Sequence, residues 1–276
     1  MRVCLTVLLT FVPGLATSAQ AQRTTTGLQV LYTFDEGDGR IVHDQSGTGT
    51  PLDLTIADPG KTKWSRSVLT LNNETVLKSD GPARKVIDAV RTSRAISVEA
   101  WVRPANTKQS GPARILSLST DTGNRNVTLG QQQDAWEVRL RTTATSTNGI
   151  PATTTGGGSL KSVLTHIVYT RDSDGTATVF VDGKPIATQK TEGDLSNWDE
   201  SYPLLIANEA TADRAWLGDL HLIAVYSRAL TVGEVQQNFA AGTGDFDELV
   251  ELIPPAAERQ VNFVSDVQPI LPSALF

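Results

Sequence analysis

The chain has 276 residues, with 24 basic and 30 acidic side chains, a net charge of −6 and a single cysteine, Cys4. An acidic balance argues against nucleic acid and anionic membranes as partners, since both require basic patches. With no cysteine beyond Cys4, everything downstream lacks disulfides, thiolate metal sites and thiol chemistry.

Residues 1–21 read as an export signal. Arg2 gives a positive start, Val3 to Leu15 is mainly apolar, and Ala19-Gln20-Ala21 is a small-x-small cleavage site. The apolar run is interrupted by Pro13 and Gly14 and is too short to span a bilayer; no transmembrane segment is expected elsewhere. Cleavage behind Ala21 would deliver an exported, periplasmic or extracellular chain with 23 basic and 30 acidic residues, a net charge of −7.

Beyond the signal, Thr and Ser are frequent, and short β-branched runs alternate with Gly, Asp and Asn turns. That pattern predicts an antiparallel all-β domain over 22–244. Gly27 to Phe34 is the first strand. Ile96 to Val102 alternates Ile96, Val98, Ala100 and Val102 against Ser97, Glu99 and Trp101. His166 to Arg171, Thr176 to Val181 and Lys184 to Thr188 form a meander, turned at Asp174-Gly175 and Asp182-Gly183.

Arg141 to Ser159 is polar and predicts a long surface loop, either functional or mobile. One short C-terminal helix is expected from Thr231, capped reciprocally with Glu234, pinned by Val235 and Phe239 and ended at Gly242. Residues 245–276 turn acidic, pass Pro254-Pro255 and read as a linker and a truncated or disordered tail.

The ordered set YTFDEGDG, HDQSG, ISVEAWVRP, LTHIVYTRD, VFVDGKP and WLGDLHLIAVYSRALTVGEV resembles bacterial laminin G-like domains of the concanavalin A-like jelly-roll superfamily. The resemblance implies two antiparallel sheets packed face to face, with the terminal strands side by side. It also implies a calcium ion near the Asp-x-Ser-Gly turn, which points to Asp38, Asp44 and Asp219 as ligands. His221 occupies the last-strand ligand position, and calcium takes six to eight oxygens. The ligand chemistry therefore disfavours calcium and leaves these aspartates as turn and strand-end carboxylates; no other cofactor is implied. In the tail, Val261 to Leu271 resembles the opening of planctomycete-type cytochrome c domains. The haem motif is missing, with Leu275 about where its first cysteine would fall, so no haem is expected.

Glucanases of the superfamily carry Glu-x-Asp-x-Glu or a one-residue-longer form on one strand, giving two carboxylates on one face. Glu99 has only Ser97 and Trp101 beside it, and Glu137 only Ala135 and Arg139. No Gly-x-Ser-x-Gly elbow selects a nucleophile. The sequence thus predicts no enzyme but an exported recognition module for carbohydrate or an extracellular partner. The alternative is a structural or interaction domain of a periplasmic or membrane-side, cytochrome-containing redox assembly. Among the tryptophans, Trp101 and Trp216 have core-like neighbours. Trp198, in polar company with Asp199 and Tyr202, is the candidate sugar platform, although the same company suits a loop packed on the sandwich.

Overall fold

The computed structural model describes residues 21–243. The export signal apart from Ala21, and the tail from Gly244 with its cytochrome-like stretch, lie outside the described residues. In chain order the strands are β1 (Leu28–Tyr32), β2 (Ile41–Val42), β3 (Leu54–Ile56), β4 (Thr62–Ser65), β5 (Val68–Leu71) and β6 (Leu77–Pro82), then helix α1 (Arg84–Ser93). Next come β7 (Ile96–Pro104), β8 (Ala113–Ser119), β9 (Arg125–Gln132), β10 (Ala135–Leu140) and β11 (Thr153–Thr154). The last strands are β12 (Thr165–Arg171), β13 (Thr176–Val181), β14 (Lys184–Lys190), β15 (Pro203–Ile206) and β16 (Gly218–Tyr226), followed by α2 (Val232–Ala241).

They form two eight-stranded sheets. The first runs β14-β13-β12-β7-β16-β5-β4, with β1 also paired to β16; the second runs β11-β10-β9-β8-β15-β6-β3-β2. All pairings are antiparallel, and the terminal strands meet as expected, Leu28 opposite Tyr226. The all-β concanavalin A-like sandwich is therefore the observed fold.

Alternation decides which face each strand buries. From β7, Ile96, Val98, Ala100 and Val102 enter the main core between the sheets, together with Leu116, Leu118, Val127 and Leu129 from β8 and β9. The other face of β7 is buried too. Ser97, Glu99 and Trp101 lie beneath α2, beside an apolar cluster that includes Leu28, Val168, Leu222, Tyr226 and Val235. Burying such a side chain stabilises by about 1.5–3 kcal/mol, so this second layer is what fixes α2 to the sheet.

The cap of α2 forms as its sequence predicts. Thr231 Oγ1 accepts from the Glu234 backbone N–H, and Glu234 accepts from the Thr231 backbone N–H at 2.9 Å. Phe239 remains 38% exposed, yet its ring stacks on Trp101 with centroids 5.6 Å apart and planes 5° from parallel. It also covers the Asp182-Gly183 turn, where both residues have positive φ, as a tight hairpin requires.

Helix α1 went unforeseen. Val86, Ile87 and Val90 bury one helical face, but Ala83 at the N-cap makes no side-chain hydrogen bond, so the usual start signal is missing. Residues 141–159 form the expected loop, with only the two-residue β11 within it.

Candidate functional site

The candidate ligand-binding residues Trp198, Asp199 and Tyr202 do not make an exposed platform. Trp198 is 2% exposed and joins the main core, and its Nε1 donates to Arg141 O at 2.8 Å. Tyr202 is 6% exposed. Asp199 accepts from the Ser201 backbone N–H and hydroxyl. Neighbouring Asn197 donates to Thr142 O, so the whole segment fastens the 141–150 loop to the sandwich. Polar neighbours around a tryptophan here mark a loop anchor, and the platform expectation is corrected accordingly.

The three aspartates to which the resemblance points as calcium ligands are not gathered in one place. Asp38 is exposed. Asp44 Oδ1 accepts from the backbone N–H groups of Leu31 and Ser46, and Oδ2 from that of Leu52. Lys85 of α1 brings its ammonium to the same carboxylate, and it also donates to Thr48 O at 2.7 Å and Thr50 O at 3.2 Å. Burial alone would raise the Asp44 pKa, but Lys85 and the surrounding N–H donors hold it below its ordinary value. A cation of the protein's own thus sits where the oxygens converge. Among the described residues no group of three or more His, Cys, Asp or Glu could hold a metal, and the residues do not fit the implied ion.

Asp219 instead lines a cleft of about 300 Å³ at the β5–β16–β7 end of the first sheet. Its Oδ1 accepts from Thr70 Oγ1 at 2.8 Å, and its Oδ2 lies 3.9 Å from Arg103 Nη1. Asn72 and Ser162 add polar groups, while Leu71, Pro104 and Leu217 supply apolar wall. Register explains the grouping: Asp219 is opposite Thr70 on one side and Arg103 on the other. Both partners are far from Asp219 in sequence, so no local motif announced the cleft.

Glu99 has much richer surroundings than its strand neighbours suggested. Fully buried, it accepts from Arg23, His166 Nε2 at 2.8 Å, Tyr226 Oη at 3.1 Å and Asn238 Nδ2 at 2.8 Å. Burial pushes its pKa up, but Arg23 and His166 outweigh that and bring it down to about 2. The ionised carboxylate ties the segment before β1, the sheet and α2 into one network.

A third polar region covers the outer face of the second sheet. Between the inward Leu116, Leu118, Val127, Leu129, Val138 and Leu140, the strands turn Ser117, Thr128 and Arg139 outward in one row. Arg114 and Arg125 lie beside them, wholly buried, with Glu209 from the 207–214 segment reaching in between. Burial and the neighbouring Arg114 bring the Arg125 pKa down to about 10. Sequence reading missed this region, although three strands each carrying an arginine among apolar residues were a usable signal.

No curated protein matches the chain in sequence. Among solved structures, Trypanosoma rangeli sialidase with 2,3-difluoro-KDN superposes at a TM-score of 0.57 and 17% identity, covering 84% of this chain and 36% of that one. The chain spans about a third of the length of the sialidases it matches. Domain 4 of AbnA, a GH43 extracellular arabinanase from Geobacillus stearothermophilus, solved with arabinotriose, gives 0.55 and 17% over 77% of this chain and 98% of that domain. Botulinum neurotoxin type C, described as entering cells through two ganglioside molecules, gives 0.54 and 10% over 77% and 51%.

These likenesses establish the fold. They also correct the expectation that the chain is no enzyme: the shared fold is found in sialidases as well as in glycan-binding domains. The missing glucanase triplet bears on one mechanism alone. The laminin G family model described as "concanavalin A-like lectin/glucanases superfamily" matches residues 78–236, from β6 into α2. With the two-sheet sandwich and its paired terminal strands, that match places the chain in the concanavalin A-like lectin/glucanases superfamily.

Proposed function

We propose that the chain is an exported carbohydrate-recognition domain whose cleft at Asp219 receives a sugar residue. The observation that carries this reading is the side-by-side placement of Asp219 and Arg103 in a cleft of about 300 Å³. A carboxylate accepts from sugar hydroxyls and a guanidinium donates to them, so adjacent hydroxyls find both roles within one span. Thr70, Asn72 and Ser162 extend the polar rim, and Leu71, Pro104 and Leu217 offer apolar contact to C–H groups. That mixture of apolar wall and few placed polar groups is what small-ligand sites require. The fold supports the reading, as do the arabinotriose and ganglioside associations of its structural neighbours.

A glycan array followed by calorimetry tests it. Saturable binding of a neutral oligosaccharide, weakened at least tenfold by Asp219→Asn and by Arg103→Ala in folded protein, is the expected result. Silence across the array, or binding indifferent to both substitutions, would overturn it. Sequencing the N-terminus of protein recovered from outside the cytoplasm tests export, with Gln22 expected first.

A further inference from the structure

Arg114 and Arg125 are wholly buried on the outer face of the second sheet, and a single carboxylate, Glu209, is buried with them. Glu209 Oε2 accepts from Arg114 Nε at 3.2 Å and lies 3.9 Å from Arg125 Nη1. Arginine keeps its proton at neutral pH, so this closed layer holds one more positive charge than negative. Of the other charged groups that face it, Arg139 pairs with Glu137 at 2.7 Å and Arg214 with Asp213 at 3.3 Å, while Asp121, partly exposed at the rim, accepts from Gly123 and Asn124 and attracts Arg125 from outside the closed layer.

The hydrogen bonds are also incomplete. Arg114 Nη1 donates to Pro112 O, and the two Nη atoms of Arg125 donate to Thr128 and Thr122, but Arg114 Nη2 and Arg125 Nε have no acceptor among the described residues. An unbalanced buried charge and buried donors left unmade are both costly. A second oxyanion would relieve both. The segment lying over the pair provides a way in. It runs from Ala207 to Arg214, with Ala207 at φ 71° and Ala212 at φ 58°, left-handed backbone that alanine adopts at a cost. Ala207 is held in the core and donates to Ile115 O, whereas Ala210 to Ala212 are exposed, so that short stretch is the part that would lift to admit a ligand.

We propose that Arg114 and Arg125 form a binding site for the oxyanion of an acidic saccharide, a uronate carboxylate or a sulfate ester, received alongside Glu209 beneath the 207–214 segment. Glu209 is the resident counter-ion, and the ligand's acid group supplies the second. This site lies on the sheet opposite the Asp219 cleft and does not depend on it.

The test uses the full chain in calorimetry with three probes: a uronate oligosaccharide, a sulfated oligosaccharide and a neutral oligosaccharide of equal length. In parallel, thermal midpoints are compared in sodium sulfate and sodium chloride at matched ionic strength. At least one acidic probe is expected to bind tenfold or more tighter than the neutral one, and sulfate is expected to raise the midpoint. Glu209→Gln, which removes the competing charge, should tighten acidic binding about tenfold, and Arg125→Gln should abolish the preference. Asp219→Asn should leave it intact, which separates this site from the cleft. If Arg125→Gln does not fold, Glu209→Gln alone decides. Equal affinity for acidic and neutral probes, or a sulfate effect with neither acidic saccharide bound, would overturn the proposal.

Discussion

Lys85 on α1 grips Asp44, a residue 41 positions earlier, and closes the 44–52 turn around its own ammonium. The Asp44 carboxylate is fully buried and the Lys85 side chain nearly so, so the contact is more than a surface ion pair. Lys85→Ala should lower stability by about 1–3 kcal/mol, the cost of leaving a buried acceptor short of a donor; the backbone donors that remain keep it from being larger. Chelator should leave the wild-type thermal midpoint unchanged. A fall on chelation, restored by calcium, would show that an ion shares the turn.

Glu99 makes stability depend on acid. Its folded pKa of about 2 lies below the ordinary 4.5, so its contribution is complete above pH 4.5 and is lost as the pH falls towards 2. The shift corresponds to about 3 kcal/mol. Glu234, brought to about 2 chiefly by Arg228, loses its share over the same range. Urea unfolding at pH 6 and pH 3 should show the decline. Glu99→Gln should flatten it, while destabilising the neutral protein by about 3–5 kcal/mol because Arg23 loses its buried partner.

Trp198→Ala should cost about 3–5 kcal/mol, as expected for an emptied aromatic core position. Trp198→Phe should cost less, mainly the bond to Arg141 O, about 1 kcal/mol. Sugar affinity of the folded Phe variant should equal wild type. A selective loss of binding with unchanged stability would return Trp198 to the ligand.

Thr231→Ala removes one half of the reciprocal cap on α2 and should destabilise by about 0.5–2 kcal/mol. Hydrogen exchange should quicken first in α2. Uniform quickening across both sheets would show that the helix does not open separately.

What could be read from the sequence was whatever acts over short range. The Asp-Gly turns, the alternation of β7 and the Thr231–Glu234 cap all concern residues within a few positions of each other, and each is found in the structure. Helix α1 escaped because Ala83 gives no cap, although Val86, Ile87 and Val90 carried the period. The polar sites escaped for a different reason. Thr70 is 149 residues from Asp219, and Arg114 is 95 from Glu209; strand register joins the first pair and the path of the 207–214 segment over the sheet joins the second, and no local pattern states either. Trp198 was misjudged because polar neighbours look the same whether they face solvent or tie down a loop.

The pairing of β1 with β16 has a consequence for how this domain can be joined to others. Arg23 Nη2 donates to Gly242 O at 2.6 Å, so the points where the chain enters and leaves the sandwich are neighbours. A protein that received residues 22–243 in one of its loops would have to part that loop by only the width of two adjacent strands, and its own folding would be little disturbed. For the same reason a few residues of linker would join the two ends, and the new termini could be cut at an exposed turn such as Asp174-Gly175. Both of the proposed binding regions would pass through such a rearrangement unaltered, because the join at the termini and the cut at Asp174-Gly175 lie outside the residues that build them.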